Sequence, residues 1–175
     1  MAKIHSFVNT TRCVCWDVDA FNAAGIGEID FDNGQLVARG ALQIDDNGGY
    51  EFAVAAPVAN ATGLWVVDTP EVGTTLAMQM YDDPREFYNP AGQPMSIRKL
   101  MADVDFLEVP ALAFAQGSDP TTQPTYNFVT VNTNGRLVIA QQAPAQGTYF
   151  SIAGKHTIDI GHEIVPTWIL KCERN

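Results

Sequence analysis

Three times in this chain a short run of β-branched and aromatic residues ends in a glycine-bearing polar turn, and a second such run follows. Residues 29–31 lead through Asp32-Asn33-Gly34 into 35–39. Residues 41–44 lead through Asp45-Asp46-Asn47-Gly48-Gly49 into 50–55, and residues 127–131 lead through Asn132-Thr133-Asn134-Gly135 into 136–139. Asparagine and glycine tolerate the positive backbone angle of a tight turn, so each cassette predicts a β-hairpin.

Other segments extend the pattern. Residues 10–19 carry partial alternation and predict a first strand or an extended arm, broken by Gly25 and Gly27. Residues 64–67 form a short apolar strand between Gly63 and Pro70, and residues 75–80 fit a strand or a short helical segment equally. For residues 95–100 a strand is preferred over a short helix capped by Ser96, and residues 104–109 read as a strand ended by Pro110. Residues 116–124 are a loop. Strands at 150–152 and 163–171 flank a segment at 155–161. Turn signals about every dozen residues, with no long amphipathic helix, predict an all-β fold: a β-sandwich or partly open β-barrel with hairpins, an extended N-terminal arm and long loops. Residues 1–16 are assigned to the arm or first strand and 17–175 to one β domain. A chain of 175 residues is long enough to bury roughly 70% of its unfolded surface.

Charge narrows the partners. Ten Lys and Arg against twenty Asp and Glu give a net charge of −10, which repels a phosphate backbone and argues against direct nucleic-acid contact. Charged residues make up only 17% of the chain and hydrophobic ones 46%, so much of the surface must be neutral and suited to packing against neighbours. No segment approaches a membrane span and residues 1–12 lack a signal-peptide core, which predicts synthesis in a cytoplasm.

Catalytic and metal-binding patterns are missing from the sequence. There is no Gly-x-Ser-x-Gly elbow, and Gly25-Ile26-Gly27 has Asp30 where a dinucleotide fingerprint needs its third glycine. His5, His156 and His162 form no zinc signature, and Cys13, Cys15 and Cys172 read as reduced thiols. Four acidic pairs, Asp17/Asp19, Asp30/Asp32, Asp45/Asp46 and Asp103/Asp105, could serve calcium or a glycosidase. The turn at 45–49 is the best calcium candidate, but it lacks a full twelve-residue loop with its terminal Glu and reads as a hairpin turn. The expectation is no enzyme, no catalytic residue, no metal and no cofactor. Trp16, Trp65 and Trp168, with nine Phe and five Tyr, read for the most part as core residues, with a carbohydrate- or small-ligand-binding β module as an alternative.

The order of landmarks from Trp65 onward resembles the auxiliary capsid proteins of tailed bacteriophages, also called decoration or cement proteins. The residues that carry the resemblance are 66–72, then Phe87-Tyr88-Asn89-Pro90-Ala91-Gly92-Gln93-Pro94 leading into 97–100, then 103–106, and the late Asn134-Gly135-Arg136-Leu137. The stretch 29–42 also looks similar; Ala102-Asp103 stands where such proteins have Gly-Asp. The resemblance implies a non-enzymatic virion protein, made in the bacterial host cytoplasm, on the outer surface of the expanded capsid. Its implied partners are the major capsid protein and neighbouring copies of itself in the lattice or a homo-oligomer. Arms and long loops reach neighbours most easily. The expected lattice contacts are therefore Lys3, Ile4, Phe7, Val8, Arg12 and Trp16 of the arm, and Arg85, Phe87, Tyr88, Asn89 and Pro90 of the 82–94 crossover. A head-fibre base or tail component is the alternative within the virion.

Overall fold

Two β units of different curvature contain every named strand of the computed structural model, which describes residues 11–12, 22–44, 49–70, 87–159 and 163–175. In chain order the strands are β1 (Thr11–Arg12), β2 (Asn22–Gly27), β3 (Leu36–Ile44), β4 (Tyr50–Ala55), β5 (Trp65–Val67), β6 (Pro94–Lys99), β7 (Phe106–Pro110), β8 (Phe128–Val131), β9 (Leu137–Ala140), β10 (Tyr149–Asp159) and β11 (Ile164–Arg174). Strands β2-β4-β3-β5-β6 close into a barrel, and β1-β7-β11-β10-β8-β9 form a six-stranded sheet. The fold is all-β, as the turn pattern predicts.

Alternation along the barrel strands decides which side chains face where. Val37, Val54, Trp65, Val67, Met95 and Ile97 point inward around Phe31. A five-stranded barrel has a narrow interior, and β2 fits because its inward positions are glycines. A Cβ at Gly25 would lie 2.5 Å from Val54 Cγ2, and one at Gly27 would lie 2.4 Å from Phe31 Cε2. These glycines continue a strand rather than break one, correcting the sequence expectation. The space is too small for any larger residue.

Leu36 and Val66 alternate to the outside of the barrel, where they meet the inner face of the sheet. They join Leu107, Val109, Val129, Leu137, Phe150, Trp168 and Leu170 in one core. Covered on both faces, β5 is buried throughout, so its sequence reads as a continuous apolar run.

Polar ties lock the same junction. The Asn175 side chain accepts from Leu64 N–H at 2.8 Å and from Thr148 Oγ1 at 2.8 Å, and donates to the carbonyls of Leu64 at 2.9 Å and Leu100 at 2.6 Å. Gln35 Nε2 donates to the Asn134 carbonyl at 3.0 Å. Gly135, at φ +71°, sits where a Cβ would come within 2.4 Å of the Leu36 carbonyl oxygen.

Arg98 emerges from the barrel on the Val66 side and places Nη2 2.9 Å from Asp105 Oδ1, with the side chains 3% and 0% exposed. The contact is a close charge pair whose geometry is poorly aligned for a hydrogen bond. Asp105 Oδ2 accepts from Met101 N–H at 2.7 Å. Burial pushes the Asp68 carboxyl up, and the Arg98 guanidinium partly offsets this.

Two further expectations change. The turn at 32–35 forms, with Gln35 N–H donating to the Asp32 carbonyl at 3.1 Å, but its flanks do not pair with each other. Phe31 bridges Asn89, while β3 pairs with β4 and β5. The segment at 155–159, read as lying between strands, extends β10 and pairs with β11 as far as Asp159↔Ile164. The hairpins β3–β4 and β8–β9 form as expected.

Cys172 lies fully buried in the shared core. Burial, reinforced by the Asp105 carboxylate, pushes its thiol up from 9.0 to about 12. The folded state therefore keeps a proton that the unfolded chain releases, so this contribution to stability is complete below about pH 9 and is lost as pH rises toward 12. In urea titrations across pH, the stability difference between wild type and Cys172→Ala should be flat below pH 8. It should shrink by about 1.4 kcal/mol per pH unit above pH 9.

Candidate functional site

The sheet edges are closed by different means. At β9, Phe114 forms a parallel bridge with Leu137, Ala115 N–H donates to the Leu137 carbonyl at 2.7 Å, and Ile139 N–H donates to the Ser118 carbonyl at 3.3 Å. Residues 114–118 thus cover that edge.

Among the described residues the β3–β4 hairpin has no such cover. Strand β3 pairs with β5 only at Leu36 and Val37. Among the described residues its course from 39 to 44 therefore has a strand neighbour on one side alone, β4. Register sets the character of this projection. Leu42 lies opposite Phe52 and Ile44 opposite Tyr50, so these four side chains share one face, and that face continues the barrel-interior side occupied by Val54. Beyond the rim none of the described residues covers it. Leu42 is 49% exposed, Ile44 66% and Tyr50 65%.

At the rim, Arg39 places its guanidinium 4.3 Å from the Phe52 ring centroid and 4.5 Å from that of Trp65. Two cation–π contacts hold the base of the projection against the barrel wall. On the other face, an open groove of about 820 Å³ runs past Ile26, Glu28, Ile29, Gln43, Ala53 and Ala55. Ile29 is itself 54% exposed. An exposed apolar projection beside a groove is the most distinctive surface feature among the described residues.

Of the residues expected to contact a lattice, Arg12, Phe87, Tyr88, Asn89 and Pro90 are described. Lys3, Ile4, Phe7, Val8, Trp16 and Arg85 lie outside the described residues, and Arg12 contributes its backbone to β1 opposite Phe106. Phe87 and Asn89 are buried, 8% and 3% exposed; Tyr88 and Pro90 are half-buried. Asn89 exchanges backbone hydrogen bonds with Phe31, and its Nδ2 donates to the Phe31 carbonyl at 3.2 Å and to Asn33 Oδ1 at 3.1 Å. Gly92 N–H donates to the Gly27 carbonyl at 2.8 Å, and Ala91 N–H to Asp30 Oδ1 at 3.0 Å. The described half of the crossover is thus pinned along the barrel. Phe87 and Asn89 anchor it rather than reach outward.

Comparison with known proteins adds no family: no protein-family model matches the chain, and no curated protein matches it significantly.

Other clusters show how their groups are spent. Glu108 Oε1 lies 2.6 Å from His156 Nδ1 and accepts from Thr167 Oγ1 at 2.9 Å. Nucleophile activation needs the hydroxyl turned to the imidazole; here it donates to the carboxylate and is fully buried. Lys171 Nζ donates to Asp103 and to Glu173, each at 3.1 Å, and Ser151 Oγ donates to Glu173 at 2.5 Å. The hydrogen bond from Ser151, then that from Lys171, holds the Glu173 carboxyl below its ordinary range, and the Asp103 and Glu173 carboxylates raise Lys171. Among the described residues no group of three His, Cys, Asp or Glu side chains is placed to hold a metal. A recess of about 500 Å³ beside Tyr126, Asn127 and Lys155 reaches Trp168, but this indole is 5% exposed and meets Phe114 edge-on at 6.2 Å, so it offers little stacking face. Among the described residues no helix is long and apolar enough to cross a membrane.

Proposed function

We propose that this protein is a non-enzymatic structural component of a tailed-phage virion. In this reading it sits on the outer surface of the expanded capsid and cements neighbouring major capsid subunits. The observation that carries the reading is the β3–β4 hairpin: a body cross-tied at its internal junction projects one exposed apolar face. The landmark resemblance supplies the kind of partner, and a net charge of −10 suits the outside of a shell better than contact with packaged DNA.

Cementing follows from linkage. A protein that binds only the expanded lattice stabilises that state by RT ln(1 + [L]/Kd), about 2.7 kcal/mol per site at a hundredfold excess over Kd. Stiffness contributes as well, because a barrel and sheet that share a core carry load between contacts without yielding at a hinge.

Co-sedimentation of the purified protein with empty shells of its own virus tests the proposal. Saturable binding to expanded shells and none to unexpanded ones is the expected result. Binding to neither overturns it.

A further inference from the structure

The hairpin also indicates what it receives. Resting on the shell-binding reading, we infer that a positively charged, extended segment of the major capsid subunit lies across the Leu42, Ile44 and Tyr50 face and along the open edge of β3.

Charge selects this occupant over a second copy of the same chain. Glu51, opposite Gln43, projects from the other face of the hairpin, where Glu28 lines the groove, so the acids meet the alternate side chains of a strand added to β3, those turned away from the apolar face. The nearby cation, Arg39, already faces the rings of Phe52 and Trp65. Two copies, each at −10, would bring like charge together, whereas a basic segment meets complementary charge.

Area points the same way. Three part-exposed side chains offer on the order of 300–400 Å², the size of one large surface patch and about half of what each partner contributes to a stable pairwise interface. Such a patch suits an occupant whose affinity is multiplied by repetition over a lattice. The one-sided pairing of β3 supplies the second element of recognition. Backbone N–H and C=O groups on a free strand edge accept an added strand, while alternate side chains of that strand read the apolar face. The stacked Arg39 keeps the base of the hairpin in place before binding, which limits the ordering cost.

The test compares four proteins on expanded shells over a salt series: wild type, Ile44→Ser/Tyr50→Ser, Glu51→Lys, and Leu112→Ser as a control at an exposed residue of the other unit. Thermal melts confirm that all four are folded. The double variant should bind at least about tenfold more weakly, Glu51→Lys should also weaken, wild-type affinity should fall with salt, and Leu112→Ser should match wild type. If wild type binds and the double variant binds equally well, the hairpin is not the docking face and the shell-binding reading stands. If Glu51→Lys binds as tightly as wild type or more tightly, the occupant is not basic. If wild type fails to bind, the shell-binding reading fails and this inference fails with it.

Discussion

Asp105→Ala is expected to destabilise the protein by about 3–5 kcal/mol, because it removes the buried carboxylate 2.9 Å from the Arg98 guanidinium in the interface between barrel and sheet. The pair is 2.9 Å apart with both side chains almost fully buried, so water cannot replace the lost carboxylate. The Met101 N–H loses its acceptor in the same step. Arg98→Met combined with Asp105→Leu removes both charges and fills the space with apolar atoms, and it should recover most of the loss. Urea unfolding of wild type, the single variant and the double variant gives the comparison. A single variant within about 1 kcal/mol of wild type would mean that the junction does not depend on this pair.

Asn175→Ala should cost about 2–4 kcal/mol. One amide side chain satisfies Leu64 at both its N–H and its carbonyl, together with Leu100 and Thr148. Each hydrogen bond is worth about 1 kcal/mol, and part-buried groups left without partners raise the cost. Asn175→Asp is the sharper variant, since it keeps the acceptor for Leu64 N–H and Thr148 but turns a carboxylate oxygen toward two carbonyls. It should be at least as damaging as alanine. Barrel and sheet share this tie and one core, so urea unfolding of the wild type should be a single transition seen alike by tryptophan fluorescence and circular dichroism. Equal stability of Asn175→Ala and wild type would show that other contacts hold the two units together.

Local sequence was most legible where a strand's partner is its neighbour in the chain. The β8–β9 hairpin could be read from its alternating residues and the turn at 132–135, and the β3–β4 hairpin from the run into and out of 45–49. Pairing over long distance was not legible. The Asn33-Gly34 turn was visible, but nothing local says that Phe31 will bridge Asn89 or that β3 will pair with β5. Gly25 and Gly27 looked like strand breakers because propensity counts backbone freedom, while their reason is the space inside a five-stranded barrel. The polar run 155–159 looked like a connection because it shows little apolar alternation, yet it pairs throughout with β11.

The candidate site was legible only in part. Proline, glycine and asparagine made the 82–94 crossover look free to reach outward, but the Asn89 amide is spent on Phe31 and Asn33. Nothing in the runs on either side of 45–49 sets Leu42, Ile44 and Tyr50 apart. Only the register, which carries them past the barrel rim, leaves them exposed.

Cryo-electron microscopy of expanded shells saturated with the protein tests the central claim most directly. Ordered density for this all-β body is expected on the outer capsid surface, with the β3–β4 hairpin turned toward the junction between major capsid subunits. Density confined to the tail or fibres, or shells left bare at saturating concentration, would contradict it.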